Sequence, residues 1–300
     1  MPIELPETGY GSAHSPSERR IELFADWIET EVYLNGEALS KPYLVDRLEG
    51  AALVTGSDDA WTLINDAFNR CRTRRQHLDQ SYPFSIAGDT IELTSVQKTA
   101  YLFCLLSSLP EQFTALRKTY PVEFRDLFET VVAAALERAL PGWTVHQTGW
   151  SNIAQRKKGK VVELVASWAK GKYLDSSVFP SANDAQVDVA VVREFQDGRS
   201  GIPILLGQCA TGVTDWKGKA SRPNIDRWCK AVQFSSTPTR LFAVPFALDD
   251  LSFREASVES NGAILDRTRI CTTLPNLSEP LRTKLDKWVQ EATLLIPLAA

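Results

Sequence analysis

The 300-residue sequence has no long apolar run, no paired cysteine motif and no histidine cluster, and each absence removes a class of protein. Its five cysteines, Cys71, Cys104, Cys209, Cys229 and Cys271, are scattered and form no C-x-x-C. An odd, dispersed set reads as reduced thiols, not as a disulfide framework. His14, His77 and His146 are the only histidines, and none has the spacing of a zinc ligand. The longest apolar stretches, such as AYLFCLL at 100–106, are too short to span a bilayer, so no membrane partner is expected. The first twenty residues lack the charged-then-apolar pattern of a secretory signal, and the expected location is cytoplasmic. No internal repeat and no low-complexity segment is present.

A strong net charge is also missing. The formal value of −4 gives no overall pull toward nucleic acid or an anionic membrane. The local balance is uneven, however. Residues 1–50 hold ten Asp/Glu against four Lys/Arg, whereas residues 151–235 hold thirteen Lys/Arg against eight Asp/Glu. An acidic N-terminal third therefore precedes a basic middle.

Residues 1–16, with Pro, Gly and Ser, read as a flexible arm. Residues 17–112 read as a mainly helical accessory region. It comprises a capped amphipathic helix from Ser17 to about Leu34, a second over 40–50, a third from Ser57 or Asp58, and an apolar helix from Ser95 to about Leu109. A Gly-Asp pair within SIAGDTIEL (85–93) predicts a hairpin between the last two helices. The texture changes near Pro121, and residues 113–300 read as one α/β domain ending in a C-terminal helix capped by Ser278. Within it, VEFRDLFETVVAAALERAL is a helix closed by Pro141-Gly142, and WTVHQTGW is a short strand. QVDVAVVREF (186–195) and IPILLGQCA (202–210) form a hairpin. A helix over Pro223 to about Phe234 and strands at 239–248 and 263–274 complete the core.

Asp188 lies inside the otherwise apolar QVDVAVV, and an uncompensated buried carboxylate is costly. Gln208 ends the partner strand ILLGQCA, Glu129 lies on the preceding FETVVAAAL helix, and Lys217 and Lys219 follow in TGVTDWKGK. This order resembles the PD-(D/E)xK, restriction-endonuclease-like nuclease superfamily, over about residues 121–273. The resemblance implies a mixed central sheet flanked by helices and Mg²⁺- or Mn²⁺-dependent hydrolysis of phosphodiester bonds. It also suggests a phage-defence-associated member.

Carried over residue by residue, Asp188 would be a direct metal ligand and Glu129 would complete the shell, directly or through water. Gln208 would stand at the second acidic position, and Lys219, or else Lys217, would be the catalytic lysine. Ala210 occupies the place where the family has its lysine, so the replacement would come from downstream. Asp184 is an alternative or an assistant to Asp188. Strand alternation turns Cys209 away from Gln208.

DNA is the expected partner, ahead of RNA. Arg156, Lys157, Lys158, Lys160, Lys170, Lys172, Arg222, Arg227 and Lys230 are candidates for a phosphate-tracking groove. Trp150, Trp168 and Trp216 would either stack on bases or pack in the core, and Arg267 and Arg269 would reach phosphate or pair with acidic residues. The alternative function is a catalytically inactive nuclease fold that binds nucleic acid. A protein partner such as a helicase or ATPase would dock on the acidic N-terminal region.

Overall fold

A computed structural model describes residues 3–5, 17–51, 54, 56–94, 99–111, 124–148, 158–179, 185–212 and 216–298. In chain order the elements are α1 (Ser17–Asn35), β1 (Leu39–Ser40), α2 (Lys41–Gly50), α3 (Ser57–Leu78), β2 (Phe84–Ala87), β3 (Thr90–Leu93) and α4 (Thr99–Ser107). There follow α5 (Phe124–Ala139), β4 (Thr144–Gln147), α6 (Lys158–Trp168), β5 (Lys172–Tyr173), β6 (Val189–Val192) and β7 (Ile204–Cys209). The last elements are α7 (Ile225–Ala231), β8 (Val232–Gln233), β9 (Thr239–Ala243), α8 (Asp250–Ser260), β10 (Gly262–Leu265), α9 (Arg267–Thr273) and α10 (Glu279–Thr293). The chain is thus mixed α/β, as its alternating periodicities require. It divides into two compact units. The first holds residues 1–122, 246–249 and 274–300, and the second holds 123–245 and 250–273.

The first unit is mainly helical, with a small antiparallel sheet ordered β1-β3-β2. Gly88, at φ +59, makes the β2–β3 turn that the Gly-Asp pair signals. Helix α4 is apolar all round and buried throughout, as such composition demands. One neighbour is α10, whose Trp288 meets Phe103 edge-on at 4.9 Å and whose Asp286 accepts from Thr99 Oγ1 at 2.8 Å. The C-terminal helix therefore belongs to this unit, and not to the α/β domain with which the sequence reading grouped it. Its stripe of Leu281, Leu285, Trp288, Val289 and Ala292 declares an apolar face without saying which surface covers it.

Helix α1 is buried on both faces from Glu22 to Val32. Its apolar stripe packs inward, and Glu22, Asp26 and Glu29 form a second stripe at helical spacing. These three carboxylates converge on Arg74 of α3. Arg74 Nη1 lies 2.8 Å from Asp26 and 2.9 Å from Glu29, and Nη2 bonds Glu22. Arg70 holds Glu22 from a second side at 2.6 Å. The hydroxyls of Tyr82 and Tyr101 each donate to Glu29 at 2.7 Å. Burial alone would lower the Arg74 guanidinium, but Glu29, Asp26 and Glu22 together hold its pKa well above the usual value. Glu31, equally buried, pairs with Arg47 at 2.5 Å. Four of the acidic residues in the N-terminal third are thus spent inside the fold and are not offered to a docking partner.

The second unit is built on a five-stranded mixed sheet, ordered β10-β9-β7-β6-β4. Strands β4, β6 and β7 form an antiparallel meander, and β9 and β10 then add in parallel to β7 and to β9 respectively. Both parallel steps need helical crossovers, which α7 and α8 supply. Gly142, at φ +80, closes α5. On one face of the sheet, Ala190, Val192, Ile204 and Leu206 share a core with Val161 and Val165 of α6 and Trp228 of α7.

Three sequence expectations are corrected in this unit. The segment 263–274 is not one strand, because β10 ends at Leu265 and α9 starts at Arg267. Asp266 makes the break: its carboxylate accepts from the Arg269 N–H at 3.0 Å, an N-cap bond. Arg267 is consequently fully buried and donates to Pro245 O, while Arg269 donates to Ile264 O and lies over the Phe253 ring. Arg267 is thus closed to phosphate, whereas Arg269 stays exposed. The helix expected over 223–234 stops at Ala231 and gives way to β8, which pairs with β5. The third is the boundary after β9, where the strand expected over 239–248 stops at Ala243 and α8 follows, a helix with little apolar periodicity.

Gly262 faces Arg240 across the β9–β10 ladder so closely that an added Cβ would stand 2.2 Å from the Arg240 carbonyl oxygen. Backbone cannot yield as a side chain can. Gly262→Ala is therefore expected to destabilise the second unit by about 1–3 kcal/mol, measurable by denaturant unfolding. An unchanged midpoint would show that β10 adjusts at no cost.

Candidate functional site

The register of β6 on β7 pairs Val189 with Gly207. The next pair outward sets Asp188 opposite Gln208, and opposed residues of an antiparallel pair point to the same face. The structure brings these two together as that geometry requires: Gln208 Nε2 donates to Asp188 Oδ2 at 3.0 Å. The Cys209 backbone N–H donates to the same oxygen at 2.6 Å. Asp188 is 5% exposed, so these N–H groups matter: they complement a charge that water barely reaches.

Glu129, also buried, enters from α5. Helix α5 packs against β7, and Glu129 acts on the Cys209 thiol there. Burial pushes that thiol well above its usual pKa, and the carboxylates of Asp188 and Glu129 push it further in the same direction. Asp188, Glu129 and the β7 end therefore form one neighbourhood. Burial and the two carboxylates both disfavour the Cys209 thiolate.

The segment leading into Asp188 is held at several points that the sequence did not announce. Ala185 and Gln186 both have positive φ, at 55° and 62°, a costly conformation for residues with a Cβ. The Trp228 indole N–H holds the Ala185 carbonyl at 3.1 Å. Thr148, fully buried at the end of β4, donates its N–H to Asp188 O at 2.8 Å and its hydroxyl to Val187 O. Neither SANDAQ nor Thr148 carries a local signal for this, because no glycine marks the turn and the bonds join distant residues.

The other candidates stand in different surroundings. Lys219 ends a 3-10 turn, half-buried, with its N–H donating to Trp216 O at 2.8 Å. Lys217 is exposed and ion-paired with Glu255 at 3.0 Å. Trp216 is buried and stacks on Phe242, so it serves the core and not a base. Trp168 stacks on His146, with centroids 4.1 Å apart. Lys160 pairs with Glu163 and Lys170 with Glu194, while Lys172, Arg227 and Lys230 are exposed. Asp184, Trp150, Arg156 and Lys157 lie outside the described residues, as do residues 6–16 of the arm and Ser95.

Among the described residues, no three His, Cys, Asp or Glu side chains gather as a cation cage. The oxygen donors at hand are two carboxylates and one amide. Of these, Gln208 Oε1 is buried and has no hydrogen-bond partner among the described residues. An orphaned acceptor beside a carboxylate fits a hard cation that prefers oxygen and keeps several waters. No family model matches the chain, and neither curated proteins nor solved structures provide a match. Among the described residues, no helix is long and apolar enough to cross a membrane.

Proposed function

We propose that the protein is a metal-dependent endonuclease that hydrolyses phosphodiester bonds of DNA, in prokaryotic antiviral defence. The reading is carried by one observation: a buried Asp188 sits directly across an antiparallel ladder from Gln208, on a strand pair whose β7 packs against the helix that carries the buried Glu129. Supporting it is the order of elements, with the Glu-bearing α5 before the meander and the α7 crossover after it. A divalent ion, Mg²⁺ or Mn²⁺, held by Asp188, Glu129 and Gln208 would lower the pKa of a bound water and offset phosphate charge.

The chain's own residues would do the rest. Thr148 and the Cys209 N–H fix Asp188 in place, and burial excludes bulk water from its charge. Lys219 is the residue proposed to orient the attacking water or to stabilise developing charge. Exposed Lys172, Arg227 and Lys230 would contact phosphates without reading sequence.

The expected result is cleavage of duplex or single-stranded DNA by the purified full chain in Mg²⁺ or Mn²⁺, abolished by EDTA. Intact DNA and RNA in both metals would overturn the reading. A second reading, a nuclease fold that binds DNA without cutting it, is favoured by the uncharged Gln208 standing at the second acidic position and donating to Asp188. It requires DNA binding that EDTA leaves unchanged, which a gel-shift assay measures.

A further inference from the structure

The Gln208 side chain makes one hydrogen bond and leaves its other polar atom unused, and chemistry dictates which is which. Asp188 Oδ2 is an acceptor, so the amide must present Nε2 to it, and Oε1 is left without a partner in a buried position. The opposite orientation would set two oxygens against each other. Only a cation between them would make it favourable.

We propose that the Gln208 amide is a built-in occupant of the cation position: metal-free, its N–H₂ satisfies Asp188, and ion entry turns the amide over to present Oε1. This rests on the nuclease reading only in placing a divalent ion beside Asp188. The amide then acts as a threshold. A glutamate at this position would repel Asp188 in the empty site and attract the ion, whereas the glutamine stabilises the empty site and releases Asp188 only to an ion that displaces it. The cost of the metal-free arrangement is the orphaned Oε1, which ligation to the ion would satisfy while Nε2 turns to the position that Oε1 leaves. The Cys209 N–H donates to the same Asp188 oxygen through backbone and would be less free to turn, so the response falls on Gln208.

The test uses the full chain with uniformly ¹⁵N-labelled side chains and Mg²⁺ as the probe. The Gln208 amide resonance pair is identified by its loss in Gln208→Glu. On titration with Mg²⁺, that pair is expected to shift with the same saturation midpoint as the heat of binding measured by calorimetry. Gln208→Glu, which has no amide to displace and one more charge, is expected to bind Mg²⁺ about tenfold more tightly or better. Mg²⁺ binding by the wild type with an unmoved Gln208 pair would overturn the amide reversal and leave the nuclease reading standing. Equal affinity of the wild type and Gln208→Glu would likewise overturn it. Binding by neither protein would overturn it together with the metal site, whatever the DNA assay shows.

Discussion

Asp188→Asn is expected to abolish metal-dependent DNA cleavage, with a loss on the order of a hundredfold or more, while the fold survives. The substitution keeps the shape of the side chain and removes its charge. A carboxamide oxygen can still accept from the Cys209 N–H, so the link between β7 and the start of β6 is preserved in part. The Gln208 amide then faces a neutral neighbour and loses the charge assistance of its bond, a change of about 1 kcal/mol in stability. Thermal unfolding should shift by only a few degrees, about the amount that such a difference implies for a domain of this size. Mg²⁺ binding, followed by calorimetry, should disappear with cleavage. An Asp188→Asn protein that cuts DNA at the wild-type rate would remove Asp188 from the site.

The largest effect on stability is expected at Arg74. Arg74→Met keeps the length of the side chain and deletes the cation that Glu22, Asp26 and Glu29 share. Breaking a buried ion pair by removing one partner costs about 3–5 kcal/mol, because the other charge stays buried without compensation. That is a large part of the roughly 5–15 kcal/mol that holds an ordinary domain together. The first unit should therefore approach spontaneous unfolding at neutral pH, seen as loss of its transition in urea melts followed by circular dichroism.

The pH dependence has a definite sign. Burial raises the Glu22 pKa above its usual value even with Arg74 present. A carboxyl whose folded-state pKa is raised contributes stability that is present at low pH and is lost as pH rises through the folded value. Acidification toward the glutamate range should thus recover part of the stability of Arg74→Met. A variant equally unstable at all pH values would mean that the lost packing of the side chain, and not the uncompensated buried carboxylates, sets the cost.

Much of the architecture was legible because local chemistry and tertiary structure agree. Ser57 opens α3, Gly88 turns the first hairpin, Gly142 ends α5, and the apolar VDVAVV and ILLG runs pair as adjacent strands. The adjacency of the Asp188 and Gln208 strands was legible for the same reason, but the register that sets the two residues opposite each other was not, because residues 193–203 separate β6 from β7. Other features were hidden because distant residues decide them. Helix α1 reads as one apolar stripe with a solvated acidic face, but Arg70 and Arg74 of α3 bring that face inside. The RTRI segment alternates like a strand, yet Asp266 caps a helix there. Ala185 and Gln186 adopt left-handed conformations that nothing in their identity requests, and Trp228 and Thr148 hold that stretch from other elements.

The path of the chain imposes an order of assembly. Ile3 bridges Leu298, and the Glu4 N–H donates to Pro297 O, so the first unit is stitched from both ends of the described chain. During synthesis its core lacks Leu281, Leu285 and Trp288 until α10 has emerged. The second unit is complete once Thr273 is made. The unit with the proposed site can therefore mature as a folded insertion while its host remains open, and the host closes only once α10 has emerged.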